Sequence, residues 1–458
     1  MKNIKFIYII IIVFSGLNIY LYSIKHEDTP DNYLFWASLN LWLHVIPLLH
    51  YLYDGYKKDI FPFMGLVGIF LMLSFSLPVF FIRPYNYQLG VLNVNALQWA
   101  FWGYLSFYFF YFIIRNNNIF ITKHFGPIKL NLYNPKIRHV AILFLIINFS
   151  SKYMIDNTAM THLGNLGIFI YIGTYLLLLN NKVPISTIER FMFYIVFVNE
   201  YLTRLFDGLL ALAAVFTIYI AIIDFYSKRK IIRSFVIIIP FILVFLIISP
   251  IKSDFREIVW FSEREQGYST IDRLGVIAEL TSERGTRQDI VLNSRDDDRE
   301  NFFWRYSYQA SALSLVLEMT PNNVPYWNGE SYKIFSKFIP RFLWPDKPKE
   351  SMGYDFGTRY GIIDVSNTGT SMNTPILTEM YINFGYTGII IGMFLLAIVY
   401  VLLNNYFNSL EISDIGRVYS IAIIFPLMVH ESNFTLQFGN VPLMIIAVYG
   451  IARTYLSK

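Results

Sequence analysis

Ile339-Pro-Arg-Phe-Leu-Trp-Pro-Asp-Lys-Pro348 is followed by Gly353-Tyr-Asp-Phe-Gly-Thr-Arg-Tyr-Gly361 and then by Thr374-Pro-Ile-Leu-Thr-Glu-Met-Tyr-Ile-Asn-Phe-Gly385. These residues are polar, aromatic and rich in Pro and Gly, whereas almost all of the chain on either side is apolar. The contrast decides the class. Apolar residues make up 55% of the 458, aromatics 18%, and charged residues 15%, against about 25% charged in an ordinary soluble domain. Long uncharged apolar runs recur, so the expected fold is an all-α polytopic membrane protein. The chain has no cysteine, which excludes disulfides, thiolate catalysis and thiolate metal sites.

A membrane-spanning helix needs about 20 apolar residues. Candidate spans are 4–24, 33–53, 60–82, 95–114, 139–156, 162–180, 187–203, 207–226, 232–250, 376–403, 417–430 and 440–456. That is about twelve transmembrane helices. The first is too long, and lacks the small-residue cleavage site, to be a signal peptide. With the N-terminus inside, the inner segments carry eighteen Lys and Arg, and the short outer ones carry four, Lys25, Arg83, Lys152 and Arg204. By the positive-inside bias both termini are then cytoplasmic. The expected organisation is nine helices over 1–250, one large outer (periplasmic) loop over 251–374, and helices ten to twelve over 375–458. No internal repeat is visible, unlike many transporters.

Within the loop, Phe303 to Met319 reads as an amphipathic helix with Trp304, Tyr308, Ala312, Leu315 and Met319 on one stripe and Arg305 and Gln309 beside it. Pro321 ends it. Asp296-Asp-Asp298 is a conceivable Mg²⁺ cluster, but Arg295 and Arg299 neutralise it, and a solvated turn is the plainer reading. The tenth span starts with Thr374 as cap, Pro375 at the first helical position and Glu379 near the positive helix end. Glu379, Asn383 and Thr387 are spaced by four and share a face. Gly385, Gly388 and Gly392 suit close helix packing.

An outward site of Arg, Lys and aromatic side chains suits a lipid-linked sugar phosphate. Arginine forks bind phosphate oxygens, lysine adds a point charge, and aromatic rings stack on sugars. A carboxylate or His would take the acceptor proton, and cations would stabilise the departing diphosphate. Arg341, Lys347 and Arg359 are the first phosphate candidates; they cluster with Trp344 and three prolines. Arg305 borders the helical stripe. Arg204 lies in Glu200-Tyr-Leu-Thr-Arg204-Leu-Phe-Asp207 at a span end, where a charge is expensive; an Arg204–Asp207 pair is the plainer alternative. Glu379 is the preferred carboxylate, with Asn383 beside it. His430 and Glu431 fall on the last outer loop. Each cation also has a plain reading as a solvated surface group, and Glu379 as a helix-dipole partner.

Gly329-Glu-Ser-Tyr332, the Ile339–Pro348 string, Phe356-Gly357 and Glu379-x-Tyr-x-Asn-Phe-Gly385 together resemble the bacterial oligosaccharide repeat-unit polymerases of the Wzy type, which make O-antigen and capsule. The motif likeness covers roughly residues 305–392, and the amino-terminal half agrees only in hydropathy. The resemblance implies a C-type glycosyltransferase architecture in the bacterial inner membrane. It implies polymerisation of undecaprenyl-diphosphate-linked repeat units on the periplasmic face, with no metal or other cofactor. It further implies outer-loop arginines on the diphosphates: Arg341 from its motif, and more loosely Arg204 and Arg305. On this reading Glu379, His430 and Arg341 carry catalysis, and Arg204, Arg305, Trp344, Lys347, Arg359 and Asn383 bind substrate. The partners are the lipid-linked oligosaccharide, the bilayer and a chain-length regulator, and no nucleic acid is expected. An O-antigen ligase and a lipid-linked oligosaccharide flippase are the alternatives. The Trp-Pro-x-Lys-Pro string favours the polymerase over the ligase.

Overall fold

The structure is a computed structural model that describes residues 2–55, 62–116, 132–151, 158–206, 210–228, 230–248, 251–260, 268–286, 303–332, 344, 346, 351–409 and 414–456. Among these residues the chain is helical and has no β-strand beyond one isolated bridge between Tyr87 and Gly90. The helices are α1 (Lys2–Ser23), α2 (Asp31–His50), α3 (Phe63–Phe75), α4 (Pro78–Phe81), α5 (Val94–Asn116), α6 (Lys136–Ser151), α7 (Thr158–Asn180), α8 (Thr187–Phe206), α9 (Leu210–Lys228), α10 (Ile231–Ile248), α11 (Lys252–Trp260), α12 (Thr270–Thr286), α13 (Tyr308–Met319), α14 (Met352–Arg359), α15 (Ile376–Ser409), α16 (Asp414–Ile424), α17 (Phe434–Phe438) and α18 (Val441–Leu456). Each of the twelve apolar stretches singled out in the sequence overlaps a helix. Among the described residues five helical stretches are long and apolar enough to cross a membrane: Phe63–Phe81, Val94–Asn116, Thr161–Asn180, Ile376–Phe407 and Phe434–Tyr455.

The chain divides into two compact units. One comprises Met1–Pro127, Glu300–Glu411 and Ile423–Gly450; the other comprises Ile128–Arg299, Ile412–Ala422 and Ile451–Lys458. The segment 251–374, read from the sequence as a single outer loop, is therefore shared: its first part belongs to the second unit and its last part to the first.

In the first unit, α2, α3, α5 and α15 supply the core. Helix contact is close where glycine allows it. A side chain at Gly68 would meet the His44 carbonyl oxygen at 2.1 Å, and one at Gly103 would meet Ile389 at 2.8 Å and Leu377 at 2.9 Å. Helix α13 differs from the amphipathic stripe expected of it. A short helical turn over 303–306, which carries the exposed Trp304, is offset at Ser307 from the helix that starts at Tyr308 and is buried over the whole of Tyr308–Ser314. Its Ala and Ser residues make it thin, and its hydroxyls satisfy neighbouring backbone. Ser311 Oγ accepts the Leu89 N–H at 2.7 Å, and Ser314 Oγ accepts the Asn93 N–H at 3.0 Å. At 12 residues α13 is too short to span a bilayer, and the burial of Tyr308–Ser314 makes its first part a packed element rather than a surface one.

In the second unit α6 lies against α7, where Gly164 and Gly167 admit the α6 backbone and Asn148 Nδ2 donates to the Gly164 carbonyl at 2.9 Å. Tyr171, Tyr175, Phe193 and Phe216 fill the core. The start of α8 is fixed by a reciprocal cap, with Glu189 N–H donating to Ser186 Oγ and Ser186 N–H to the Glu189 carboxylate, the device expected of Ser-x-x-Glu. Ser269 and Asp272 do the same for α12.

Candidate functional site

The site is built on a break in α15. Phe384 (φ −140°, ψ 19°) and Gly385 (φ 61°, ψ −148°) leave helical geometry, and Gly385 occupies the left-handed region that glycine enters without a Cβ penalty. The segment 376–383 is thereby separated from the long segment that follows. The second segment folds against the first: a Cβ on Gly388 would lie 2.3 Å from the Met380 carbonyl oxygen, and one on Gly392 would lie 2.7 Å from the Met380 sulfur. In a straight helix residues 380 and 392 would be about 18 Å apart along the axis. The shared face of Glu379, Asn383 and Thr387 read from the sequence therefore ends at Asn383. Thr387 is exposed and donates to the Phe384 carbonyl at 2.8 Å.

A helix end needs partners for its last carbonyls. Here a tight turn supplies them. Asn328 (φ 48°) and Gly329 (φ 94°) both take positive φ, as an Asn-Gly pair does in a type I′ turn, and Glu330 N–H closes it on the Trp327 carbonyl at 3.0 Å. Trp327 N–H then donates to the Ile382 carbonyl at 2.9 Å. Asn383 holds the same turn from the side: its Oδ1 accepts the Gly329 N–H at 2.8 Å, and its Nδ2 donates to Ser331 Oγ at 2.8 Å and to the Glu379 carbonyl at 2.7 Å. Asn383 is fully buried and clamps this turn to α15.

Glu379 is fully buried beneath this turn. Its Oε2 accepts the Phe434 N–H at 2.6 Å, at the start of α17, where Asn433 Oδ1 caps the Leu436 N–H at 2.8 Å. The Tyr332 ring lies between Phe384 and Phe434. Burial, and next the Glu379 carboxylate, push the Tyr332 phenol above its ordinary pKa, so it stays a neutral hydroxyl. Ile376 N–H donates to the His430 carbonyl at 3.2 Å, which joins the 430 segment to the head of α15.

His430 itself departs from the sequence reading. Expected on an outer loop, it is 1% exposed. The ring is held between two phenols, Tyr104 at 3.3 Å from Nδ1 and Tyr400 at 2.7 Å from Nε2, with Phe107 edge-on. Tyr400 OH donates to the Leu427 carbonyl, so it accepts from His430 Nε2–H, and Nδ1 is left to accept from Tyr104. His430 is a bridge in an aromatic core and offers no open nitrogen to a ligand.

The exposed rim holds the cations. The Arg359 guanidinium lies over the Trp327 ring, 4.2 Å from its centroid, and pairs with Glu330 at 2.7 Å. Arg305 pairs with Glu431 at 3.0 Å. Tyr308, beside this pair, donates to the Asn373 carbonyl, next to the start of α15. Tyr360, at the end of α14, bonds Thr320 at 2.6 Å, and burial raises its phenol to about 12. Trp344 is exposed. Arg341, Lys347 and the Asp296–Asp298 run lie outside the described residues. Arg204 lies in the second unit. It pairs with Glu200 at 2.6 Å, and its guanidinium is flanked by Phe169 at 5.1 Å and Phe216 at 5.2 Å; Asp207 lies outside the described residues. Both Arg204 and Glu200 are mostly buried, which makes this an internal ion pair.

The structure thus brings Glu379, Asn383 and Arg359 to one turn. It adds Trp327, Glu330, Ser331 and Tyr332, which the sequence reading did not assign to the site. The Asn328-Gly329 pair was the signal for that turn. Among the described residues no group of three or more His, Asp and Glu gathers as a metal site would.

No curated protein and no solved structure matches the chain. Residues 119–411, more than half of the chain, match a family described as a domain of unknown function, DUF8712. That stretch contains Arg204, Arg305, Arg359, Glu379 and Asn383 and leaves out His430. The chain belongs to the DUF8712 family.

Proposed function

We propose that this protein is a multi-pass glycosyltransferase of the bacterial inner membrane. It joins undecaprenyl-diphosphate-linked oligosaccharide repeat units into O-antigen or capsular polysaccharide at the periplasmic face. About twelve spans, cytoplasmic termini and a chain-length regulator as partner belong to the same proposal. One observation carries it: a buried carboxylate, Glu379, lies under a turn whose exposed side carries a cation stacked on an indole, Arg359 on Trp327. The half-exposed Arg359 guanidinium is then a charge-assisted donor for phosphate at the turn that covers Glu379, the carboxylate assigned as base. The Ile339–Pro348 string, with Arg341 and Lys347, follows this turn in the chain.

In this reading Glu379 takes the proton from the acceptor hydroxyl, and the cations of the 305–359 region stabilise the departing lipid diphosphate. The test is deletion of the gene with gel analysis of surface glycan, complemented by Arg341→Ala. Loss of long chains with single-unit capping retained supports the polymerase, and normal ladders from an Arg341→Ala protein at normal level remove Arg341 from the site. Loss of all capping points instead to the ligase or the flippase.

A second reading, transport of the lipid-linked oligosaccharide, draws on the broken helix at Phe384–Gly385 and the short packed helix α13. Interrupted helices with buried polar groups are a transporter device. Accumulation of lipid-linked units on the inner leaflet in the deletion strain would favour transport, and accumulation on the outer leaflet would favour polymerisation.

A further inference from the structure

The second unit carries a cationic end that the proposed reaction does not use. Asn180 is the last residue of the candidate span Thr161–Asn180, which on the proposed topology places it at headgroup level. Its side chain organises the ends of three helices. Nδ2 donates to Asp224 at 3.1 Å and to Ser227 Oγ at 2.8 Å, while Oδ1 accepts from Arg233 at 3.2 Å. The Lys228 ammonium donates to the Asn180 carbonyl. Arg233 also pairs with the buried Asp224 at 3.0 Å. On the other flank of α9, Arg417 lies over the Tyr226 ring and shares the Tyr226 hydroxyl with Asp414.

Among the described residues this end holds five cations, Lys182, Lys228, Lys230, Arg233 and Arg417, against two carboxylates, Asp224 and Asp414, an excess of three positive charges. The bonds above fix Lys228, Arg233 and Arg417, the exposed Lys182 and Lys230 flank that frame, and the net positive charge suits an anion from outside the chain. The surface below it is the second observation. Val236, Ile239 and Leu243 follow Arg233 along one face of α10 at helical spacing and are 55%, 50% and 57% exposed. A half-exposed guanidinium at the head of an exposed apolar stripe matches a phosphate headgroup with its acyl chain, and does not match free phosphate.

We infer that this end of α7, α9 and α10 binds the headgroup of an anionic phospholipid, with the acyl chain along Val236, Ile239 and Leu243. Basic pockets between helices at a membrane face recognise such lipids by charge.

The test uses the full chain purified in a neutral detergent and titrated with dioleoyl-phosphatidylglycerol, with dioleoyl-phosphatidylcholine, and with inorganic phosphate, following the melting temperature. Phosphatidylglycerol is expected to raise it saturably and the other two are not. The variant Lys182→Gln/Lys230→Gln removes two exposed cations that take no part in the bonds above. It is expected to melt like the parent in phosphatidylcholine and to need about tenfold more phosphatidylglycerol for half the effect. A Lys25→Gln/Arg453→Gln control is expected to behave as the parent. An equal rise with phosphatidylcholine or inorganic phosphate, or an equal change in the control, overturns the assignment.

Discussion

Glu379 and His430 show how differently two buried polar residues are used. Glu379 accepts the Phe434 backbone N–H at the start of α17. Glu379→Gln keeps the volume and an acceptor for Phe434, so it is expected to express and melt like the parent while abolishing long glycan chains on gels. Glu379→Ala leaves the Phe434 N–H without its acceptor, at a cost of about 1–3 kcal/mol, and should lower the melting temperature as well. For His430 the expectation reverses. His430→Phe keeps the ring in its cage but removes the bridge between Tyr104 and Tyr400. It should lower the melting temperature and leave long chains on the gel; loss of chains from a protein of unchanged stability would restore His430 to catalysis. At Arg359, Lys would keep the pairing with Glu330 and lose the planar stack on Trp327, worth about 0.5–1 kcal/mol. The expected result is weakened chain extension with little change in protein level.

At the scale of elements, the decisive feature is the break in α15. Gly385 needs its positive φ, and Gly388 needs the absence of a Cβ beside the Met380 carbonyl. The two differ in what obstructs them. At Gly385 an added Cβ would meet the end of the Tyr326 side chain at 2.9 Å, whereas at Gly388 it would meet backbone at 2.3 Å. Side chains give way more cheaply than backbone, so Gly388→Ala is expected to lower the melting temperature more than Gly385→Ala. For Gly385→Ala the positive-φ conformation costs about 1–3 kcal/mol; the Gly388 clash resembles overpacking against backbone, about 1–3 kcal/mol or more. Equal melting temperatures would mean that the two segments separate easily. Helix α13 makes the same point about burial: its first two turns, Tyr308–Ser314, are buried on every face, with small Ala and Ser side chains among them.

At the scale of the whole molecule, the proposed topology is open to a direct check because the chain has no cysteine. Single Lys182→Cys and Asn367→Cys variants place one thiol on an exposed residue of each unit. In intact cells a membrane-impermeant maleimide is expected to label Asn367→Cys alone, and both after lysis; labelling of Lys182→Cys in intact cells would reverse the assignment of sides. The helix positions were legible in the apolar runs. The division into two units was not, because it depends on which parts of the 251–374 segment pack together, and hydropathy carries no record of partners.

The sequence by itself determined the helical class, the places of the apolar helices, and the polar region around residues 326–385 as the stretch to examine. Those follow from local properties: run length, charge density and the conformational habits of Asn-Gly and Pro. Tertiary structure decided which polar groups are spent inside the fold. Asn383 and His430 looked available in the sequence and are consumed by bonds to residues 52–54 and 326 positions away. A hydrogen-bond partner that distant leaves no local signature, so only the folded chain separates the residues that build the site from those left to face a substrate.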